Sequence, residues 1–227
     1  MKIIFLNVWG GTRESELTNF IKEETKDTDI FCFQEATEEM RQRCHAVLQG
    51  YKEISEYKLI NENDSFSQSI FIKENLELLS SGTLLSQEKE SGLAIYAEIK
   101  TETGSLYVCN VHGIAHPGDK LDNPGRLIQS QEIIAFFKDK SAPVVIGGDF
   151  NVELHTKSVG IFQDHDYQDL IKQFDIDTTR NHFAWDRYPD NKQYYSDYLF
   201  LNDKVTYKKF LVPKNEVSDH LPLILEI

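Results

Sequence analysis

A succession of short apolar runs, separated by segments of helical or turn character, is the feature that most constrains the fold of this chain. The runs are rich in Ile, Val, Phe and Tyr, which is typical of β-strands. They predict strands at Lys2–Val8, Asp29–Phe33, Gln68–Lys73, Leu93–Ile99, Leu106–Val111, Pro143–Ile146, Tyr198–Leu201 and Leu221–Ile227. Because the region from Tyr51 to Ile99 reads as strands in succession, we expect antiparallel as well as parallel neighbours.

Helical periodicity lies between several of the predicted strands. The apolar faces that indicate helices are Leu17, Phe20 and Ile21, then Met40, Cys44 and Val47, then Leu127, Ile134 and Phe137. No repeat, low-complexity tract or linker divides the chain. Its 227 residues therefore predict one domain over 1–227, in which strands pack between helical layers.

Composition limits the partners and the compartment. No apolar run reaches the roughly 18 residues of a membrane span, and the apolar run at the N-terminus is too short for the core of a signal peptide. We therefore expect a cytoplasmic protein. The three cysteines fit neither a disulfide framework nor a zinc site and are expected to be reduced and buried. A net charge of -13 disfavours strong non-specific binding to DNA. No obligate protein partner is evident.

Polar residues break the apolar pattern where predicted strands end or begin. The breaks are Asn7, Gln34-Glu35, Asn110-Val111-His112, Gly148-Asp149-Phe150-Asn151, Ser196-Asp197-Tyr198 and Ser218-Asp219-His220. Each motif alone is typical of a turn or a surface. Together they indicate a site at one sheet edge, because buried carboxylates need a metal or hydrogen-bonded partners.

Such a set of residues suits the hydrolysis of a phosphate ester. Carboxylate oxygens are the ligands that Mg²⁺ prefers, with Mn²⁺ as the second choice, and imidazoles and amides can hold phosphoryl oxygens. A carboxylate near the attacking water can orient the water or take its proton. No cysteine or serine nucleophile is needed.

The ordered motifs resemble the endonuclease/exonuclease/phosphatase superfamily, which includes DNase I-like nucleases, abasic-site endonucleases, inositol polyphosphate phosphatases and neutral sphingomyelinases. The resemblance runs over nearly the whole chain, from Leu6-Asn7 to Ser218-Asp219-His220-Leu221-Pro222. It implies a four-layer α/β/β/α sandwich of two packed mixed β-sheets, with the site at one end.

The resemblance also implies metal-binding residues and a group that acts on water. Glu35 would be the principal metal ligand, and Asn7 would lie beside it. Asp219 would lie near the metal or near a second metal position. Asp149 would orient or deprotonate the attacking water.

A second group of residues would contact the phosphate, according to the same resemblance. Asn151 would hold a phosphoryl oxygen, and His112 would face the phosphate. His220 would contact the phosphate while Asp197 orients its ring.

Two positions depart from the pattern of abasic-site endonucleases. Trp9 stands where those enzymes usually carry a polar or acidic residue, and Ser196 stands where they usually carry Arg. These departures weaken the prediction of a second metal and of a DNA-repair substrate, and they leave the general reaction in place.

Two segments were candidates for substrate binding. Lys120 and Arg126 follow His112 in a loop-rich stretch, and Arg126 either contacts phosphate or forms a structural ion pair. Trp185 lies in an aromatic segment, where it either stacks on a nucleobase or packs in the core. The cluster Asp164-His165-Asp166 either binds metal or forms a solvated loop.

The sequence therefore predicts a divalent-metal-dependent phosphoesterase that cleaves a phosphodiester or a phosphomonoester by direct attack of activated water. Its substrate is either a nucleic acid or a small-molecule or lipid phosphate. The alternatives are a DNA-specific nuclease of the repair type and a catalytically silent binding domain on the same fold.

Overall fold

The computed structural model of the protein describes residues 1–61, 64–85, 92–187 and 189–227. Tyr188, in the predicted aromatic segment, lies outside them. The strands are β1 (Lys2–Asn7), β2 (Ile30–Ala36), β3 (Tyr51–Asn61), β4 (Asp64–Lys73), β5 (Leu78–Thr83), β6 (Leu93–Thr101), β7 (Gly104–His112), β8 (Val144–Asp149), β9 (Gln168–Asp169), β10 (Asp197–Leu201), β11 (Lys209–Leu211) and β12 (Leu223–Glu226). The α-helices are α1 (Glu14–Glu24), α2 (Glu38–Val47), α3 (Pro124–Phe137), α4 (Lys157–Asp164), α5 (Leu170–Gln173) and α6 (His182–Arg187).

The strands form two mixed sheets. The first sheet has the order β11-β12-β1-β2-β4-β3, and the second has the order β5-β6-β7-β8-β10-β9. In the first sheet β1 and β2 are parallel, and in the second sheet β7 and β8 are parallel. The other strand pairs are antiparallel.

The two sheets pack face to face, with helices on their outer faces. The layer between the sheets holds side chains from both, such as Phe5 of β1 and Ile146 of β8. On the outer face of the first sheet, Leu17 of α1 and Met40 of α2 belong to a second apolar cluster. On the second sheet, Phe162 of α4 stacks on Phe200 of β10 with ring centroids 4.2 Å apart. This architecture confirms the predicted four-layer sandwich.

The predicted elements recur with adjusted ends. The successive strands expected between Tyr51 and Ile99 are present as β3, β4, β5 and β6 within the described residues. The last strand begins at Leu223 rather than at the predicted Leu221, so Ser218-Asp219-His220 precedes it in a loop. The three cysteines are free and buried, as expected. In the described part of the chain, no helix is long and apolar enough to cross a membrane.

The strand order brings the ends of four central strands together. In the first sheet Asn7 is in register with Gln34, and in the second sheet His112 is in register with Asp149. Across the interface β1 contacts β8, and β2 contacts both β7 and β8. The carboxyl ends of β1, β2, β7 and β8 therefore form one edge of the sandwich.

Candidate active site

A bulge in β2 aims Glu35 toward this edge. The pairing of β2 with β4 shifts register between Phe33 and Ala36, and Glu35 has the left-handed backbone angle φ of +58°. A non-glycine residue rarely takes that conformation, and it is most often found at functional sites. The bulge therefore explains how Gln34 points inward while the next residue still reaches the site.

Close contact between β7 and β8 depends on a glycine directly before Asp149. A Cβ atom on Gly148 would lie 2.2 Å from the carbonyl oxygen of Val111, and its φ of +126° is strained for other residues. The two strands can approach at this point only because no side chain is present. This approach sets Asp149 beside His112.

Asp149 lies at the centre of the site and is almost fully buried. Its Oδ2 accepts a hydrogen bond of 2.9 Å from Nδ2 of Asn7, and its Oδ1 accepts one of 2.9 Å from the backbone N–H of Asn151. The Ser196 hydroxyl also donates to Oδ1. Burial favours the neutral acid, but the charges of His220 and the nearby cations outweigh burial and lower the pKa of Asp149. Asp149 is therefore ionised, and its carboxylate can hold a cation or orient a water molecule.

His220 and Asp197 form the predicted carboxylate–imidazole pair. Nδ1 of His220 lies 2.8 Å from Oδ2 and 3.0 Å from Oδ1 of Asp197. The other ring nitrogen lies 3.8 Å from Asp149 and 3.8 Å from Asp219. Burial lowers the pKa of His220, but the carboxylates of Asp197 and Asp219 outweigh burial and raise it to about 9. The ring is therefore a cation that faces the centre of the site.

His112 is buried, and both of its ring nitrogens lack a hydrogen-bond partner among the described residues. Its Nε2 lies 3.2 Å from Oε1 of Glu35, outside hydrogen-bond geometry. Burial and the nearby positive charge of Lys58 lower the pKa of His112, so the ring is neutral at neutral pH. A buried neutral imidazole without a partner is suited to a ligand, because burying an unsatisfied polar atom is costly.

The donor set fits a divalent metal ion. Ligand atoms of Glu35, His112 and Asp149 lie within 4.8 Å of one another, and so do those of Asp149, Asp197 and His220. The first group offers two carboxylates and the unpartnered imidazole. Because carboxylate oxygens suit hard divalent cations, Glu35 and Asp149 with His112 are the residues that could hold one.

The other two predicted metal residues have protein partners. Asn7 donates from Nδ2 to Asp149, and its Oδ1 accepts from the backbone N–H of Trp9 at 3.0 Å. Asp219 accepts from Nη2 of Arg180 at 2.7 Å and lies on the His220 side of the site. Asn7 therefore holds Asp149, and Asp219 forms an ion pair with Arg180; their predicted place beside the metal stays a prediction.

The candidate phosphate-binding residues divide into two groups. Nζ of Lys120 donates to Oδ1 of Asn151 at 2.7 Å and to Oγ of Ser196 at 2.8 Å, so Lys120 lies inside the site. Arg126 is fully buried, and its guanidinium donates to backbone carbonyl oxygens between residues 114 and 121 and to Asp119. The prediction that Arg126 contacts phosphate is therefore not supported, and the alternative of a structural ion pair describes it.

Trp185 is partly buried and contacts residues of its own aromatic segment. Its Nε1 donates to the carbonyl oxygen of Gln193 at 3.2 Å, and its ring lies 5.2 Å from that of Tyr194. Trp9 adjoins the site, because its backbone N–H donates to Oδ1 of Asn7. Its ring centroid lies 6.0 Å from that of Phe183, and the guanidinium of Arg13 lies 5.0 Å from the same Phe183 ring.

A cavity of about 540 Å³ opens beside Lys120. Its lining includes Leu121, Glu153 and Tyr195. Leu121 follows Lys120 in the chain, and Glu153 comes two residues after Asn151. The backbone N–H of Glu153 donates to the carbonyl oxygen of Lys120 at 2.8 Å, which holds the cavity against the site. The cavity therefore lies next to the segments that carry Lys120 and Asn151.

Sequence reasoning missed two cations and part of a buried amide network. Lys58 donates from Nζ to the carbonyl oxygens of His112 and Gly113, and Arg180 holds Asp219. Beneath the site, Asn110 accepts from Gln34 and donates to the carbonyl oxygens of Phe33 and Ser69 at 3.0 Å each. Gln68 donates to the carbonyl oxygen of Asn110. The signals for the network were the polar breaks at Gln34 and Asn110; Lys58 and Arg180 carried none.

Comparison with known proteins gives one family and several structures. The model of the Endonuclease/Exonuclease/phosphatase family matches residues 4–220. A mannosyl-6-phosphatase of Bacteroides thetaiotaomicron VPI-5482 has 16% sequence identity and a TM-score of 0.79, over 100% of this chain and 98% of the other. An endonuclease/exonuclease/phosphatase from Bacteroides vulgatus has 18% identity and a TM-score of 0.77, over 99% and 97%. No curated protein matches this chain.

A third similar structure is D. rerio TDP2 complexed with single strand DNA product. It has 16% identity and a TM-score of 0.76, over 99% of this chain and 97% of the other. At these identities the structural likeness shows the fold. The family match extends over nearly the whole chain and over every motif described above, and we conclude that the chain belongs to the Endonuclease/Exonuclease/phosphatase family.

Proposed function

We propose that this protein is a Mg²⁺-dependent phosphoesterase, in which Mn²⁺ can replace Mg²⁺. The observation that carries the proposal is the convergence of Glu35, Asp149 and a buried, unpartnered His112. When bound there, the cation would supply a positive charge that stabilises the negative charge developing on the phosphoryl group.

The protein side chains have distinct roles in this proposal. Asp149 orients the attacking water or accepts its proton, and Asn7 and Ser196 hold its carboxylate in place. As an imidazolium, His220 donates a hydrogen bond from Nε2 to a phosphoryl oxygen, and Asp197 fixes its ring through Nδ1. These groups are held rigidly before substrate binds, which lowers the cost of organising them during the reaction.

The amide of Asn151 is also placed for the phosphate. Its φ of +57° and its hydrogen bond from Lys120 fix the side chain at the end of β8. Asn151 and Lys120 would together hold a phosphoryl oxygen on the side that borders the cavity. The group that carries the phosphate would then occupy the cavity lined by Leu121, Glu153 and Tyr195.

The substrate is a phosphate ester, either of a small molecule or of a nucleic acid. A small-molecule phosphatase is supported by the likeness to a mannosyl-6-phosphatase and by the net charge of -13, which opposes contact with many phosphates. A nuclease is supported by the likeness to a TDP2 complexed with single strand DNA product, and by Trp9 with Phe183 beside the site.

The experiment that tests the proposal measures the melting temperature of the purified chain against Mg²⁺ and Mn²⁺, for the wild type and for Glu35→Gln. A ligand that binds only the folded state stabilises it, so the wild type is expected to melt at a higher temperature with metal, and the variant is expected to show a much smaller rise. Asp169→Asn is the matched control, because Asp169 is a buried carboxylate that caps α5 outside the site. No response of the wild type to either metal would support a silent binding domain.

A further inference from the structure

Two lysine side chains are buried at the site, although they come from different parts of the fold. Lys58 lies on β3 at the edge of the first sheet, and Lys120 lies in the loop between β7 and α3. Lys58 is 6% exposed and Lys120 is 5% exposed. Nζ of Lys58 donates only to backbone carbonyl oxygens, and Nζ of Lys120 donates to an amide oxygen and a hydroxyl, within the described residues.

Neither ammonium group has a carboxylate within ion-pair distance in the described part of the chain. Gly113 and Asn151 link the two groups: the Gly113 carbonyl accepts from Lys58 and, at 3.4 Å, from Nδ2 of Asn151, whose Oδ1 accepts from Lys120. Two buried cations without a direct counterion are costly unless an anion joins them.

The remaining charged groups of the site show which anion is needed. Two cations are already paired with carboxylates. These pairs are His220 with Asp197 and Arg180 with Asp219. The two negative charges of Glu35 and Asp149 then offset the two positive charges of the lysines. The buried charged groups of the site therefore sum to about zero. A divalent cation would then add two positive charges.

We propose that Lys58 and Lys120 form a two-ammonium clamp that binds a terminal phosphate as its dianion, so that the site selects phosphomonoesters over phosphodiesters. The inference rests on the proposed function, because it counts the charge of the bound cation. A phosphomonoester has a second pKa near about 6 and is a dianion at neutral pH, which balances two positive charges. A phosphodiester is a monoanion and balances only one.

The test compares two substrates that share a leaving group: an aryl phosphate and the methyl ester of the same aryl phosphate. Hydrolysis of both is measured with Mg²⁺ for the wild type and for Lys58→Gln, which keeps one donor for a carbonyl oxygen and removes the charge. The clamp predicts that kcat/KM of the wild type is higher for the monoester. It also predicts that the variant loses about 10- to 100-fold on the monoester and less than about threefold on the diester.

Lys52→Gln is the matched control. Lys52 lies on the same strand, and its Nζ also donates to a backbone carbonyl, that of Leu76, away from the site. This variant is expected to keep the wild-type activity on both substrates. Thermal unfolding of both variants shows whether each is folded, and Lys58→Met is measured as well in case Lys58→Gln unfolds.

Binding of inorganic phosphate, measured by calorimetry with Mg²⁺ present, decides the clamp independently of turnover. Weaker phosphate binding by the Lys58 variant than by the Lys52 variant supports the clamp. Equal loss of activity on both ester types, or phosphate binding that is unchanged in the Lys58 variant, would overturn it. If the wild type hydrolyses neither ester, the proposed function fails, and the phosphate titration still tests the clamp.

Discussion

Replacing Arg126 with Met gives a sharp prediction about stability. The side chain is fully buried, and its guanidinium binds four backbone carbonyl oxygens, those of residues 114, 115, 117 and 121, besides Asp119. Met fills a similar volume but offers no donor, so these carbonyl groups lose their partner. Asp119 is exposed and contributes little, because exposed ion pairs are weak.

The expected cost follows from the buried contacts. A hydrogen bond to a charged group contributes about 1.5–3 kcal/mol, but such bonds in one network do not add fully, so we expect a loss of about 3–5 kcal/mol in the free energy of unfolding. The loop that the guanidinium holds contains Lys120, so activity is also expected to fall. A loss of this size is a large part of the stability of an ordinary domain, about 5–15 kcal/mol.

Urea denaturation followed by far-UV circular dichroism measures this loss. Arg43→Met is the control, because Arg43 pairs with Glu14 on the surface and both side chains are about half exposed. The control is expected to lose less than about 1 kcal/mol. If Arg126→Met were as stable as the control and yet bound phosphate more weakly, Arg126 would be a phosphate ligand, and our reading of the loop would be wrong.

Three further predictions concern the site and its support. Asp197→Asn removes the carboxylate that raises the pKa of His220 to about 9, so the imidazolium is lost at a lower pH. The alkaline limb of the kcat–pH profile should therefore move toward lower pH. An unchanged limb would contradict this role of Asp197. Asn110→Ala breaks the buried amide network and should cost about 3 kcal/mol, a drop of roughly 6–12 °C in melting temperature; a drop below about 2 °C would contradict the network's importance. Arg180→Met leaves Asp219 buried without its cation and should lower the free energy of unfolding by about 3–5 kcal/mol in urea denaturation. A loss below about 1 kcal/mol would show that the ion pair is unimportant.

The site residues at strand ends could be predicted from sequence because a polar residue at the end of an apolar run is a local signal. Asn7, Asp149 and Asp197 were found in this way, and the structure places all three at one edge. The parallel pairing of β1 with β2 and of β7 with β8 then joins their ends.

The residues that sequence reasoning missed owe their positions to long-range packing. Lys58 lies on an edge strand, where a charged residue is typical of a solvent-facing position, yet β3 brings it to the end of β7. Arg180 precedes α6 in an irregular segment and meets the site through a bridge to His220 and an ion pair with Asp219. Neither strand periodicity nor motif spacing reports such contacts.

The shortest elements were missed for a different reason. Strands β9 and β11 have two and three residues, which is too few for a periodic pattern. They form because they pair with β10 and β12 at the sheet edges. Arg126 shows the same limit for a side chain: its sequence context allowed a phosphate contact or an ion pair, and only its burial distinguishes them.

The most direct test of the account is the release of phosphate or alcohol from a panel of phosphate esters, measured with and without Mg²⁺ for the wild type and for Asp149→Asn. The account predicts metal-dependent hydrolysis of at least one ester by the wild type. It also predicts a loss of turnover of at least about 1000-fold in a variant that stays folded, because the carboxylate holds both metal and water. Full turnover in folded Asp149→Asn, or hydrolysis by the wild type that is unchanged by chelation of metal, would contradict the account.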